Sequence, residues 1–184
     1  MLKPGILAIA LLTPALVRAD VADSAANGFT IKLAMTIQAM PQIVYDKLVH
    51  NVYEWWNPMH TFTGDAHNLT IDDQLGGCFC ERRPDGAGGI RHMEVINVEH
   101  QKSLVLSGAL GPLQALAATG TLTIQLAPAG DTTKMGVVYA VGGYMPGGMN
   151  AIAAIVNEVL TEQFTRLKAV IETGHAESAK AVQK

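Results

Sequence analysis

The chain has 184 residues, 49% hydrophobic and 16% charged, with a formal charge of −3 at neutral pH. That apolar share suits one domain with a real core and excludes disorder as the main state. No block of Lys and Arg stands out, so a nucleic-acid surface has no electrostatic footprint and a phosphate-binding role is poorly supported.

In chain order, Lys3 gives a positive start to an apolar run from Gly5 to Val17, interrupted by Thr13 and Pro14. The run is shorter than the roughly 20 apolar residues of a membrane span. With Val17-Arg18-Ala19 as a cleavage site, it predicts a signal peptide over residues 1–19 and export, to a bacterial periplasm. An uncleaved anchor or a buried first helix is the alternative. No stable membrane insertion is expected of the mature chain. Residues 20–27, DVADSAAN, read as a flexible leader.

Phe29, Ile31, Leu33, Met35 and Ile37 alternate with other residues, the period of a strand with one buried face. Pro41 suits a first helical turn, and Val44, Tyr45, Leu48, Val49 and Val52 carry a short helical stripe to Trp55-Trp56. Asn57-Pro58 ends it, because a residue before proline avoids the helical region. Strands are then predicted over 68–72, 78–83, 90–98, 103–108, 119–127 and 135–141. Turns rich in Gly, Pro and Asp separate them, the clearest being Pro84–Gly89. Finally, Ile152, Ile155, Val156, Val159, Leu160, Phe164, Leu167, Val170 and Ile171 recur at intervals of three and four. They predict a long amphipathic helix capped by Asn150 and stopped by Gly174. Residues 175–184 read as a frayed tail.

The expectation is an α+β domain over 28–174, a curved seven-stranded antiparallel sheet around one long C-terminal helix. The stretches VYDKLVHNVYEWWNP, LGGCFCERRPDG, HMEVINV, LVLSGALGPL, VGGYMPGG and VLTEQFTRLKAVIE carry a family likeness. Together with the element order, the chain resembles the START/birch-pollen-allergen-like superfamily, and within it the polyketide cyclase/dehydrase-like and chaperone-ATPase-activator-like proteins. The resemblance spans residues 28–173. It implies a helix-grip fold with a pocket between sheet and long helix, and it brings no fixed catalytic set.

Gln163 falls in the middle of the apolar stripe, where a polar amide needs partners. It either faces the cavity and binds a ligand or water, or bonds the backbone of the sheet or a loop. If Pro84–Gly89 is the hairpin loop, Glu81 and His92 are near cross-strand neighbours and a carboxylate can hold an imidazole. With His60, they form the candidate site for acid–base chemistry, or a structural bond. Trp55 and Trp56 point apart, one toward the core and one toward the pocket mouth. Leu106, Leu110, Leu113, Leu116 and Met145 are expected to form cavity wall and lid, against the plainer reading of core packing. Cys78 and Cys80, two apart on a strand, share a face, and a bond between them would strain the backbone; two small buried thiols are expected, or a labile exposed pair. A metal site would need further ligands, and the thiols point away from Glu81. No metal and no cofactor is expected, and neither a nucleotide fingerprint nor a nucleophile elbow is present.

Three functions follow from these readings. The first is an exported binding protein for a small hydrophobic molecule: a lipid, isoprenoid or polyketide-like compound. The alternative is a cyclase/dehydrase-like enzyme using His92 and Glu81 in the same cavity. The third, a chaperone-linked protein interaction, is disfavoured by export.

Overall fold

Strand alternation decides the architecture. The computed structural model describes residues 17–176. The first sixteen residues of the expected signal segment, and residues 177–184 of the expected tail, lie outside the described residues.

The order is β1 (Arg18–Ala25), β2 (Gly28–Ile37), α1 (Pro41–His50), α2 (Val52–Trp55), β3 (Leu69–Ile71), β4 (Cys78–Arg82) and β5 (Gly89–Glu99). Then come β6 (Ser103–Gly108), β7 (Ala117–Ala129), β8 (Thr132–Tyr144) and α3 (Ala153–Thr173). The eight strands form one antiparallel sheet in the order β1-β2-β8-β7-β6-β5-β4-β3. The fold is the helix-grip type. One face of the sheet presents Phe29, Ile31, Leu33, Leu122, Ile124, Val137 and Tyr139 to the buried face of α3, where Leu160, Phe164 and Leu167 lie. Gly174 ends α3 in the left-handed conformation, with φ 82°, and donates to Val170 O. A lone apolar helix face would not hold in water; burial against the sheet stabilises it.

Two expectations about element ends are corrected. The predicted leader forms β1, an edge strand paired with β2 through the two-residue turn Ala26-Asn27. Its small polar residues hid it, because an edge strand needs little apolar surface. Ala26 O accepts from Met149 N, and Asn27 O accepts from Gly143 N, so this hairpin is tied to the entrance of α3. Asn150 is not the helix cap; it lies inside a 3-10 turn, Met149–Ile152, that leads into α3.

Register shifts matter more than boundaries. Phe79 pairs with Met93 but Cys80 pairs with Arg91, so His92 is an extra residue in β5. A bulge re-aims side chains and strengthens local twist. Here it makes His92 and Met93 both buried, where strict alternation would put one outside. Gly108 makes the bulge possible. Its φ is 151°, and a Cβ there would lie 2.5 Å from His92 O and 2.8 Å from Met93 Cα. Ala109 N donates to the same His92 carbonyl at 3.2 Å.

Replacing Gly108 by Ala should therefore destabilise the fold by roughly 1–3 kcal/mol. Gly136, also in a strand, faces open space, and a Cβ there would have no atom within 4 Å. Gly136→Ala should leave stability unchanged or raise it by up to about 1 kcal/mol. Urea unfolding followed by tryptophan fluorescence measures both, and equal effects would refute the role given to Gly108.

Candidate functional site

The site is built around a short strap, residues 57–63, that follows α2 and crosses from α3 to the sheet. Asn57-Pro58 stops helical growth, and the chain turns through a 3-10 turn, Pro58–His60. At the α3 end, Asn57 N donates to Gln163 Oε1 at 2.7 Å, and Asn57 Nδ2 donates to Glu162. His60 Nε2 meets Glu162 Oε2 at 3.0 Å, and Trp56 Nε1 donates to His60 O at 3.1 Å. At the sheet end, Phe62 N and Thr63 N donate to the two oxygens of Glu81 at 3.0 and 2.5 Å.

Glu81 and His92 do come together, with His92 Nε2 3.2 Å from Glu81 Oε2. The bulge supplies this contact. Gln114 Nε2 lies 3.2 Å from His92 Nδ1 and donates there and to Arg91 O. That leaves the Nε2 proton for the carboxylate, so the hydrogen bonds fix one neutral tautomer. Phe62 stacks on the imidazole at 5.9 Å, and Phe79 meets it at 5.2 Å. Burial pushes the His92 pKa down, and Glu81 opposes this only in part. For Glu81, burial acts to raise the pKa, but hydrogen bonds from Phe62, Thr63 and His92 prevail and hold it below its ordinary value. Glu81 is wholly buried and accepts three bonds; both ring nitrogens of His92 are engaged. A general acid or base needs a valence free for substrate. Glu81 spends two acceptor sites on the strap and one on His92, and His92 spends both ring nitrogens on Glu81 and Gln114.

The other predicted residues fall as follows. Trp55 and Trp56 are both core, at 1% and 7% exposure, which corrects the expectation that one of them faces the mouth. Trp55 stacks on Phe164 of α3 and Trp56 meets Phe79 edge-on, so the helical turn that splays them finds apolar partners on both sides. Leu106 and Leu113 are buried, and Leu110, Leu116 and Met145 are half-buried against the same cluster. A side chain bordering a water-sized void keeps accessible surface, and Leu106 and Trp55 keep 1%. At these positions the expected wall is packed core. Two hollows open elsewhere, and neither is lined by α3. One lies on the outer face of the sheet by Asp23, Thr30, Thr121 and Ala140. The other, about 590 Å³, lies by α1. There Tyr45 donates to Asp73 at 2.9 Å, His100 meets Asp73 at 3.1 Å and His50 meets Asp46 at 3.0 Å. Burial and then the Asp73 carboxylate push the Tyr45 pKa up. The sequence reading missed this group because its members are far apart in the chain.

Gln163 makes the structural bond of its second reading. Its Oε1 makes the structural bond to Asn57, while its Nε2 is buried with no partner among the described residues. Asn157 Oδ1, also on α3, is likewise buried and unpaired. Ile152, Val156, Val159 and Gln163 follow the i, i+4, i+7, i+11 line of one helix edge. Since Gln163 meets Asn57, that line runs toward the strap. Its three apolar members are only half-buried, and the strap itself exposes Met59 and Phe62.

The thiol expectation is overturned. Cys78 and Cys80 are disulfide-bonded, with Cα atoms 5.3 Å apart. The bulge opposite them interrupts the regular ladder, which removes the premise of an undistorted strand. Their face is as predicted, away from Glu81. Among the described residues no group of three or more His, Cys, Asp and Glu side chains is arranged to hold a metal. No described helix is long and apolar enough to cross a membrane.

No family model and no curated protein matches the sequence. Solved structures do match. A conserved protein of unknown function from Enterococcus faecalis is 16% identical, with a TM-score of 0.57 over 91% of this chain and 82% of that one. CalU16 from Micromonospora echinospora is 13% identical, with a TM-score of 0.56 over 91% and 89%. The Aha1 dimer from Colwellia psychrerythraea is 17% identical, with a TM-score of 0.50 over 79% and 97%. At such identities the likeness shows the fold alone.

Two outcomes test the strap's anchoring. Glu81→Gln keeps the shape but not the charge, and should cost about 1–3 kcal/mol while raising amide exchange at Phe62 and Thr63. Unchanged exchange there would remove Glu81 as the anchor. The pH dependence has a fixed sign. Both folded pKa values lie below their ordinary values, so the unfolded chain takes up more protons as pH falls. Stability should decline below about pH 6.5 from His92 and further below about pH 4.3 from Glu81. In Glu81→Gln the second decline should shrink, as read from urea midpoints across pH.

Proposed function

We propose that this protein is an exported member of the START/birch-pollen-allergen-like superfamily that binds a small apolar molecule carrying one oxygen acceptor. The guest would enter between the strap and the N-terminal half of α3. The observation that carries this reading is Gln163 Nε2, a fully buried amide donor without a partner among the described residues. An unpaired buried donor costs about 1–3 kcal/mol, so the fold gains whenever an acceptor reaches it. Half-buried Ile152, Val156 and Val159 lead toward it along one edge of α3. Lipids, isoprenoids and polyketide-like compounds all combine apolar bulk with a carbonyl or hydroxyl, as apolar sites with few polar groups require.

The interior around Gln163 is packed, so binding requires the strap to swing out. Its polar ties run to Gln163, Glu162, Glu81 and Asn68 and through the Trp56 bond to His60 O, with Met59 and Phe62 exposed at its surface. Export is supported by Lys3, the apolar run to Val17, and the Cys78–Cys80 disulfide, since such bonds persist in oxidising compartments. A cut before Asp20 would remove only the first two residues of β1. The His92–Glu81 pair is buried and hydrogen-bonded to the strap and Gln114, which favours the binding reading over the cyclase/dehydrase one.

Native mass spectrometry of full-length protein from its own compartment should show a bound lipophile. Long-chain ketones and alcohols added to stripped protein should shift the emission of Trp55 and Trp56. Gln163→Met should weaken those compounds by about three- to tenfold relative to hydrocarbons of equal length. A chain that is bare in the native spectrum, with emission unmoved by any lipophile, overturns the proposal.

A further inference from the structure

On the opposite face of the sheet, behind the strap's anchor, lies a disulfide with only Phe79 between its cysteines. Cys78 and Cys80 are both half-buried, and both belong to the outward face of β4. Three features separate this bond from a structural cross-link. First, the stabilisation from a cross-link grows with the length of chain it closes, and this ring is among the shortest a chain can form. Second, the core does not depend on it, because Phe79 and Glu81 on the inner face make the packing and hydrogen bonds. Third, its two sulfurs have unlike neighbours. Arg91 is the cross-strand partner of Cys80, and Glu94 is that of Cys78, with Arg91 and Glu94 paired at 2.7 Å. Cross-strand partners sit about 5 Å apart. Register thus sets a positive side chain opposite Cys80 and a negative one opposite Cys78.

We propose that Cys78–Cys80 is an exchangeable disulfide that oxidises substrate dithiols. A substrate thiolate attacks Cys78 Sγ. The bond between the two protein sulfurs breaks, and its electron pair leaves on Cys80 Sγ, which then takes a proton. The substrate's second thiolate attacks its own sulfur in the mixed disulfide and releases Cys78 as a thiolate, which is also protonated. The substrate gives up two electrons and two protons and becomes a disulfide; the two cysteines receive them. A low-molecular-weight disulfide such as oxidised glutathione returns the pair to its starting state by the same exchanges. This activity uses the outer face and is independent of guest binding on the inner one.

The test mixes oxidised full-length protein with an equimolar reduced dithiol peptide, quenches with an alkylating agent and counts thiols by mass spectrometry. One peptide disulfide should appear for each protein disulfide lost. Cys80→Ser and Cys78→Ser, prepared as free thiols and mixed with the peptide without glutathione, should each form no peptide disulfide. Arg91→Ala removes the positive charge opposite the departing sulfur and should slow transfer by the native pair roughly threefold. Far-UV circular dichroism checks the fold of each variant, and the native chain and Arg91→Ala decide the matter if a serine variant unfolds. Two free thiols in the protein before any reductant, or a disulfide untouched by excess dithiol, overturns the proposal. A rate indifferent to Arg91 overturns the assigned direction of attack.

Discussion

The structure turns on one buried carboxylate. Charge taken out of water is costly unless paired and hydrogen-bonded, by several kcal/mol per ion. Glu81 meets that demand with Phe62 N, Thr63 N and His92 Nε2. None of these donors is available in a regular ladder. His92 reaches the inner face because β5 carries an extra residue, and β5 can bulge there because Gly108 brings no side chain against His92 O. The two backbone donors come from the strap, whose other end is fixed on Gln163 and Glu162 of α3. Helix and sheet are thus joined on this side by a polar chain across the apolar core, and its weakest members are the ones nearest the surface.

The broad form was legible in the sequence, for reasons that can be stated. The stripe from Leu160 to Val170 and the alternation from Phe29 to Ile37 are long and strongly periodic, so local pattern and tertiary burial agree. The bulge was not legible, because a slip of one residue leaves composition untouched while moving a side chain to the other face. The pairing of Glu81 with His92 was inferred from the hairpin, but the bulge that produces it was not. Nor was the role of the strap, since a backbone N–H leaves no mark on sequence. β1 was hidden by its polarity, and the cysteine bond by the expectation that closing it would strain an extended strand. Gln163 was the single polar residue whose position in a stripe announced it, and its two ends proved to do different things.

The same bulge gives the sheet two chemically distinct faces within a few residues. Inward, Phe79, Glu81 and His92 form a buried set in which Glu81 accepts three bonds and both ring nitrogens of His92 are engaged. Outward, Cys78 and Cys80 are half-buried, with exposed Arg91 and half-buried Glu94 opposite them. An imidazole beside a carboxylate invites a catalytic reading, and here the hydrogen bonds of the pair also hold the strap to the sheet.

The packed interior and the unpaired amide of Gln163 are two aspects of one state. A core closed around an unsatisfied donor holds about 1–3 kcal/mol that a partner would release. Opening the strap would loosen the two bonds from Phe62 N and Thr63 N to Glu81, each contributing about 1.5–3 kcal/mol, so their loss exceeds what Gln163 alone would regain. The closed form would then dominate without a guest, and a guest would have to add the burial of its own apolar surface, because a ligand shifts an equilibrium by the difference in its affinity for the two states. A guest that fills apolar space but lacks an acceptor would gain only the burial of its surface. One that also reaches Gln163 Nε2 would satisfy the donor that the closed form leaves unpaired, and selectivity for an oxygen-bearing guest follows from that difference.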